Sequence, residues 1–128
     1  MTDKQDRPLS PFVTVYKWRY TFLNPSVIHR GTGLTLSAGL VLLVYFLFAL
    51  ASGPETYDRA VTVLSHPVTK LFYVAVSWSF FFHLLAGVRH LIWDTGHGFN
   101  YRLVRIGGLA IYIGASVLAA AYSVMVIY

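Results

Sequence analysis

The 128-residue sequence contains no cysteine and little charge. The absence of cysteine excludes disulfides, thiolate metal sites and cysteine nucleophiles. Only 12% of the residues are charged and 56% are hydrophobic, which leaves too few polar residues to cover a soluble domain of this size. The formal net charge of +5 would suit nucleic acid only if the basic residues clustered on a soluble face, and instead they stand in blocks between apolar runs. The composition therefore predicts a membrane protein with no nucleic-acid partner.

Three long stretches carry no formal charge, namely residues 31–54, 71–88 and 106–128. Each can supply the roughly 20 residues that cross a hydrocarbon core about 30 Å thick, the middle one with help from its flanks. They are continuously apolar and do not alternate as the strands of a membrane β-barrel would. We therefore predict an all-α protein with a single membrane-anchor domain over residues 1–128. Its three transmembrane helices are expected at residues 27–53, 67–93 and 104–128.

The basic residues are divided unequally between the two sides that three spans would create. Eight of them precede the first span or accompany the second connection: Lys4, Arg7, Lys17, Arg19, Arg30, Arg89, Arg102 and Arg105. The first connection holds only Arg59 and Lys70. Because positive residues favour the cytoplasmic side, this bias predicts a cytoplasmic N-terminus and a C-terminus outside.

The segment that precedes the first span, residues 1–25, is expected to lie along the cytoplasmic surface. Its prolines prevent one long helix. It lacks the short apolar run and small-residue cleavage pattern of a signal peptide, and its early Asp3 and Asp6 argue against a mitochondrial transit peptide.

His83 is the ionisable residue deepest in a predicted span. It lies six residues before Arg89, roughly 9 Å deeper in a helix that rises 1.5 Å per residue. Such a histidine is either a ligand or a packed residue bonded to a neighbouring helix, and depth alone favours neither. Gly87 and His90 follow on the same face, where a large planar group could approach the backbone. An imidazole at mid-depth with Arg89 and His90 about 10 Å nearer the water suits haem, with iron in the apolar layer and propionates at the polar edge.

A second polar group lies at the start of the first span, where Ser26, His29 and Arg30 occur within five residues. Ser26 and Arg30 are four residues apart and therefore share a helix face. A hydroxyl and a guanidinium at the membrane surface are suitable donors for a quinone carbonyl or a propionate. The alternative is that Ser26 caps the helix and Arg30 is an interfacial anchor.

A six-coordinate haem needs ligands on opposite faces, which one helix cannot supply. By its position in the sequence, His29 is expected to lie too close to the surface to meet His83. His66 precedes a proline at the outer end of the second span, and His97 lies in the second connection. If His83 binds haem iron, its opposite ligand must therefore come from another chain, which predicts an assembly.

Three motifs carry a resemblance to a known family. They are Arg7-Pro-Leu-Ser-Pro, then Ser26-x-x-His29-Arg30-x-x-Gly33, then His83-x-x-x-Gly87-x-Arg89-His90-x-x-x-Asp94. In this order, in a chain with three predicted spans, they resemble the cytochrome b membrane-anchor subunit of succinate dehydrogenase, respiratory complex II. The similarity covers nearly the whole chain, and the two central motifs together are quite specific.

The resemblance implies a role in succinate:ubiquinone oxidoreduction. His83 would be an axial ligand of haem b, and the other ligand would come from a second small membrane subunit. Ser26 and Arg30 would line the ubiquinone site, and His29, Arg30, Arg89 and His90 would lie near the haem propionates. The remaining partners would be an iron–sulfur subunit and a flavoprotein subunit, on the bacterial inner (cytoplasmic) membrane.

Two alternatives remain open at this point. A related anchor of a quinol:fumarate reductase could have a similar sequence, because only the direction of the reaction differs. A haem-free structural anchor or small transporter subunit, with His83 merely packed, would also fit the composition. In every case the chain lacks a flavin motif and a cysteine cluster, so it could not oxidise succinate alone.

Overall fold

A computed structural model describes residues 24–127, with side chains to residue 126. Over this range the chain is helical and contains no β-strand, which confirms the all-α prediction. Four helices follow one another: α1 (Pro25–Ala51), α2 (Pro54–Leu64), α3 (Pro67–Asp94) and α4 (Tyr101–Ile127). The predicted surface segment lies outside the described residues except for its last two.

Helices α1, α2 and α3 each begin at a proline, whose fixed φ and missing N–H suit the first helical position. The side-chain oxygen of Asn24 accepts a hydrogen bond from the Ser26 backbone N–H at 2.9 Å and so caps α1. The interpretation of Ser26 as the cap is therefore wrong. The ring of His66 caps α3 in the same way, accepting from the Val68 N–H at 3.3 Å.

Helices α1, α3 and α4 have 27, 28 and 27 residues and are apolar enough to cross a membrane, which confirms the prediction of three spans. At 1.5 Å per residue each is roughly 40 Å long, more than the hydrocarbon core requires. Helix α4 begins three residues before the predicted start at position 104. The reason is that Asn100 accepts a hydrogen bond from the Arg102 N–H at 2.9 Å and begins the helix there.

The connection between α1 and α3 contains the short helix α2, which the apolar pattern of the sequence does not reveal. Gly53, at a φ of 101°, provides the turn into it, a conformation that L side chains rarely adopt. The ring of Tyr57 lies 6.2 Å from that of Phe46 on α1. Charged residues on its exposed face include the ion pair of Glu55 and Arg59.

Helix α3 lies between α1 and α4 and packs against both in antiparallel fashion. A Cβ added at Gly39 on α1 would lie 3.0 Å from Val76 Cγ1, and one added at Gly114 on α4 would lie 3.1 Å from Leu85 Cδ1. These glycines let the helices approach closely, as association in a bilayer requires when lipid offers no hydrophobic drive.

The small core lies between α3 and α4. Phe82 and Ala86 are fully buried against Ile111 and Ala115. The Phe82 ring meets the ring of Tyr112 edge-on, with centroids 5.0 Å apart. Many large apolar side chains elsewhere on the three long helices are exposed, which is expected of surfaces that contact lipid or other membrane subunits.

Candidate functional site

Three histidines, His29, His83 and His90, form a cluster between α1 and α3. The rings of His29 and His83 stack with centroids 3.9 Å apart and planes inclined by 20°, and the His90 ring lies 5.5 Å from that of His29. The prediction that His29 lies too close to the surface to meet His83 is wrong. Helix α1 already begins at Pro25, so His29 is one turn inside it, and α1 approaches closely where a Cβ at Gly33 would lie 3.5 Å from His83 Cε1.

Hydrogen bonds fix the ring of His83 from one side. Its Nδ1 lies 3.2 Å from the backbone carbonyl oxygen of His29 and 3.2 Å from the hydroxyl oxygen of Thr32. That hydroxyl itself donates to the His29 carbonyl at 2.7 Å. Since a carbonyl oxygen can only accept, Nδ1 bonds to it in the tautomer that carries the proton on Nδ1, and this tautomer leaves the lone pair of His83 on Nε2.

Beside this cluster the surface of α3 is open. One turn after His83, a Cβ added at Gly87 would meet none of the described atoms within 4 Å. His90 follows three residues later and is half-buried. The Nε2 of His29 is buried and has no hydrogen-bond partner among the described residues. The cluster thus combines an available imidazole nitrogen, room for a flat group and a polar atom that lacks a partner.

Arg89 is adjacent to His90 in the sequence but extends toward α4. Its guanidinium carbon lies 4.6 Å from the centre of the Trp93 ring, a cation–π contact. Its Nη1 lies 3.6 Å from the position of a Cβ at Gly108. Its Nε is buried and unbonded within residues 24–127, so the side chain has donor capacity left.

Arg89 lines an open cleft of about 730 Å³ between the start of α1, the end of α3 and the start of α4. Ser26, Arg105 and Tyr112 also line it, and the described lining residues include no carboxylate. We call this end of the bundle, which holds Arg30, Arg89, Arg102 and Arg105, the basic end. The cleft can therefore accept a ligand that offers oxygen acceptors.

Arg30 does not line this cleft, although Ser26 does. Arg30 is exposed on α1. It follows His29 in the sequence but takes no part in the contacts between the histidine rings. Four of the five residues predicted around the haem edge and quinone therefore lie in two neighbouring groups, and Arg30 belongs to neither. His29 and His90 lie with His83 between α1 and α3, whereas Ser26 and Arg89 border the cleft toward α4.

Sequence reasoning missed Thr32, which is only 4% exposed and bonds across the helix interface to His83. Its signal was its position three residues after His29, on nearly the same helix face. His66 and His97 lie apart from the cluster. His66 caps α3, and His97 Nδ1 lies 3.0 Å from the hydroxyl of Thr95.

Comparison with known proteins relates this architecture to one family. Residues 3–122 match the family described as succinate dehydrogenase/fumarate reductase transmembrane subunit. The succinate dehydrogenase cytochrome b556 subunit of Rickettsia conorii is 36% identical over 113 residues, covering 88% of this chain and 86% of the relative. That of Paracoccus denitrificans is 32% identical over 117 residues, covering 91% and 89%.

A mitochondrial relative is similar over part of its length. The succinate dehydrogenase cytochrome b560 subunit of Mus musculus is 36% identical over 111 residues, which are 84% of this chain and 64% of the mouse protein. The family match includes the histidine cluster, the cleft and all but the last few residues of the third long helix. The chain therefore belongs to the succinate dehydrogenase/fumarate reductase transmembrane subunit family and is a multi-pass membrane protein.

Proposed function

We propose that this chain is the cytochrome b subunit of a succinate:ubiquinone oxidoreductase. It would anchor the complex in the membrane, bind haem b together with a second membrane subunit and help to form the ubiquinone-reduction site. The observation that carries the proposal is the bond of His83 Nδ1 to the His29 carbonyl at 3.2 Å, because it leaves Nε2 ready to bind iron.

The residues around His83 fit a haem. The open surface at Gly87 has room for the edge of a porphyrin. The Nε2 of His29, which has no partner among the described residues, could donate to a propionate in the tautomer that carries the proton on Nε2. His90 lies beside it toward the basic end, and Arg30 and Arg89 would add positive charge around the same carboxylates. The haem would supply one-electron transfer; His83 would hold its iron.

The second axial ligand would come from the partner subunit. His29 stacks on the face of the His83 ring at 3.9 Å and is therefore not placed to hold the same iron as His83 Nε2. His90 follows His83 on the same helix and is likewise excluded. A histidine of a second membrane-anchor subunit is the natural donor.

Ubiquinone reduction would take place at the basic end. The reaction consumes two electrons and two protons, so its site needs donors to the quinone oxygens and access to water. The Ser26 hydroxyl and the Arg30 guanidinium would donate to the quinone, and Arg30 would favour the negative charge that develops on its oxygen. The cleft that Ser26 borders is open to the surroundings of the helix bundle, and its apolar lining residues suit the quinone's tail.

The remaining subunits would bind at the basic end. The chain has no cysteine to hold an iron–sulfur cluster, so an iron–sulfur subunit must deliver electrons there and a flavoprotein subunit must oxidise succinate. We place the complex in the bacterial inner (cytoplasmic) membrane with the basic end on the cytoplasmic side. The relatives cited above are named as succinate dehydrogenases, which favours succinate oxidation over fumarate reduction.

The proposal is tested by expressing the chain with its neighbouring genes and recording a reduced-minus-oxidised visible spectrum of the membranes. A b-type haem band that appears on addition of succinate is the expected result. If the chain is present and assembled but no such band develops with succinate or dithionite, the chain is a haem-free anchor and the proposal fails.

A further inference from the structure

We infer that Thr32 is a positioning residue for the proposed haem ligand His83. Its hydroxyl, together with the His29 carbonyl, would set the orientation of the imidazole and its strength as an electron donor to iron. The inference rests on the proposed function and concerns a residue that the motifs above leave unspecified.

Thr32 differs from the other hydroxyl residues of α1. Thr35 and Ser37 are ordinary helical hydroxyls, each bonded to the carbonyl four residues earlier, at 3.3 Å and 3.0 Å. Thr32 bonds back to the His29 carbonyl at 2.7 Å but also reaches His83 Nδ1 on α3 at 3.2 Å. It is 4% exposed, so water does not compete for this contact.

The directions of these bonds follow from their chemistry. A threonine hydroxyl has one proton, and the 2.7 Å bond to the His29 carbonyl uses it. Only lone pairs of the Thr32 oxygen then face His83. In the tautomer with its proton on Nδ1, His83 would then donate to two acceptors at once, the carbonyl and the hydroxyl, both at 3.2 Å. This shared bond holds the ring against rotation about χ2 and makes the opposite nitrogen a stronger donor.

The backbone at Gly33 runs beside the same ring without pressing on it. A Cβ at that position would lie 3.5 Å from His83 Cε1, in ordinary van der Waals contact. With the His29 ring stacked on its face, the His83 ring has three neighbours on α1, namely His29, Thr32 and Gly33. Thr32 is the side chain among them that acts on the imidazole through a hydrogen bond.

The test compares Thr32→Val, which keeps the shape but removes the hydroxyl, with Thr32→Ser, which keeps the hydroxyl. Thr35→Val is the matched control, since it removes a helical hydroxyl one turn away that does not reach His83. Each variant is purified as the whole complex with its haem. The measurements are the haem midpoint potential, the low-temperature electron paramagnetic resonance spectrum and the rate of haem transfer to excess apomyoglobin.

Thr32→Val is expected to raise the midpoint potential, because a weaker donor stabilises ferric iron less, and to shift the resonance positions. Haem transfer should be about tenfold faster, the lower end of the loss of metal affinity when an outer partner of a ligand is removed. Thr32→Ser and Thr35→Val should resemble the wild type. If Thr32→Val does not assemble, Thr32→Ala takes its place in the same measurements.

Two outcomes would overturn the inference. One is a hydroxyl-free variant with unchanged potential, spectrum and transfer rate. The other is an equal change in Thr32→Ser or Thr35→Val, which would indicate a general effect on α1 rather than the bond to His83. Either result leaves the proposed function standing. Absence of haem from the assembled wild-type complex would instead remove the proposed function itself.

Discussion

The two sides of α3 differ sharply, although their central residues, Phe82 and His83, are neighbours in the sequence. Phe82 is fully buried and packs against α4, where its ring centroid lies 5.0 Å from that of Tyr112. His83 is half-buried against α1, bonded through Nδ1 and open beside Gly87. One side is a closed apolar interface, and the other is a polar interface that is incomplete.

This difference separates the residues that pack α3 against α4 from those that we propose to serve a ligand. Around Phe82 the contacts of α3 with α4 leave no room for a cofactor, since Gly114 is close to Leu85, and the cleft beside Arg89 lies nearer the basic end. At the α1 side, Nε2 of His29 is buried without a partner among residues 24–127, which is costly unless something else supplies one. We therefore expect substitutions on the two sides to act on different properties.

Substitution of His83 should produce the largest effect. His83→Ala removes the proposed iron ligand, so we expect the haem band to be lost almost completely while the chain still inserts in the membrane. The reduced-minus-oxidised spectrum, normalised to the amount of chain detected by immunoblot, measures this. His97→Ala is the control, because His97 bonds to Thr95 in the second connection, apart from the histidine cluster. A normal haem content in His83→Ala would remove the ligand assignment.

Substitution of Arg30 extends the test to the basic end of α1. Arg30→Ala should lower the rate of ubiquinone reduction by about a hundredfold, the usual effect of removing one donor to a developing oxyanion. Succinate oxidation with an artificial acceptor should be little changed, since it bypasses the quinone. Arg59→Ala, an exposed arginine on α2, is the matched control. Equal loss of both activities would point to faulty assembly rather than to a quinone-site role.

Sequence alone predicted the three spans because long uncharged runs are a direct consequence of the bilayer's thickness. It also singled out His83, since an ionisable residue at that depth stands out against apolar neighbours. The contact of His29 with His83 could not be derived, because it depends on the register in which α1 and α3 pack. Helix α2 was missed for a related reason: it is short, mixed in polarity and visible mainly through its turn at Gly53.

The division of Arg89 from His90 shows the same limit. Both were grouped at one haem edge because they are adjacent in sequence. Adjacent residues on a helix differ by about 100° in direction, and only the position of α4 reveals that Arg89, which contacts Trp93 one turn along α3, also reaches Gly108. The role of Arg89 near the propionates therefore stays a prediction, and its place beside Ser26 adds the cleft as a second setting for it.

Substitution of Phe82 should act on stability rather than on the cofactor. Phe82→Ala leaves a cavity between α3 and α4 and should lower the stability of the complex by about 3 kcal/mol. Thermal denaturation of the purified complex measures this, and the haem content per folded complex should stay normal. Phe80→Ala is the control, since Phe80 is 51% exposed and leaves no enclosed cavity. Equal destabilisation by both would mean that Phe80 is packed as closely as Phe82 in the complex, and the α4 side of α3 would not be the distinct core face.

The smallest effect is expected from a pair of glycines, one on each side of the comparison. Gly87→Ala adds a methyl group where no described atom lies within 4 Å, so the chain alone should tolerate it or gain slightly in helix propensity. If haem or the second subunit lies over Gly87, that methyl should cost about 1 kcal/mol of overpacking, seen as roughly fivefold faster haem transfer to apomyoglobin. Gly114→Ala instead presses on Leu85 from 3.1 Å and should change only thermal stability. If Gly87→Ala released haem at the wild-type rate, the open side of α3 would not face the haem, and the contrast between the two sides would be one of packing alone.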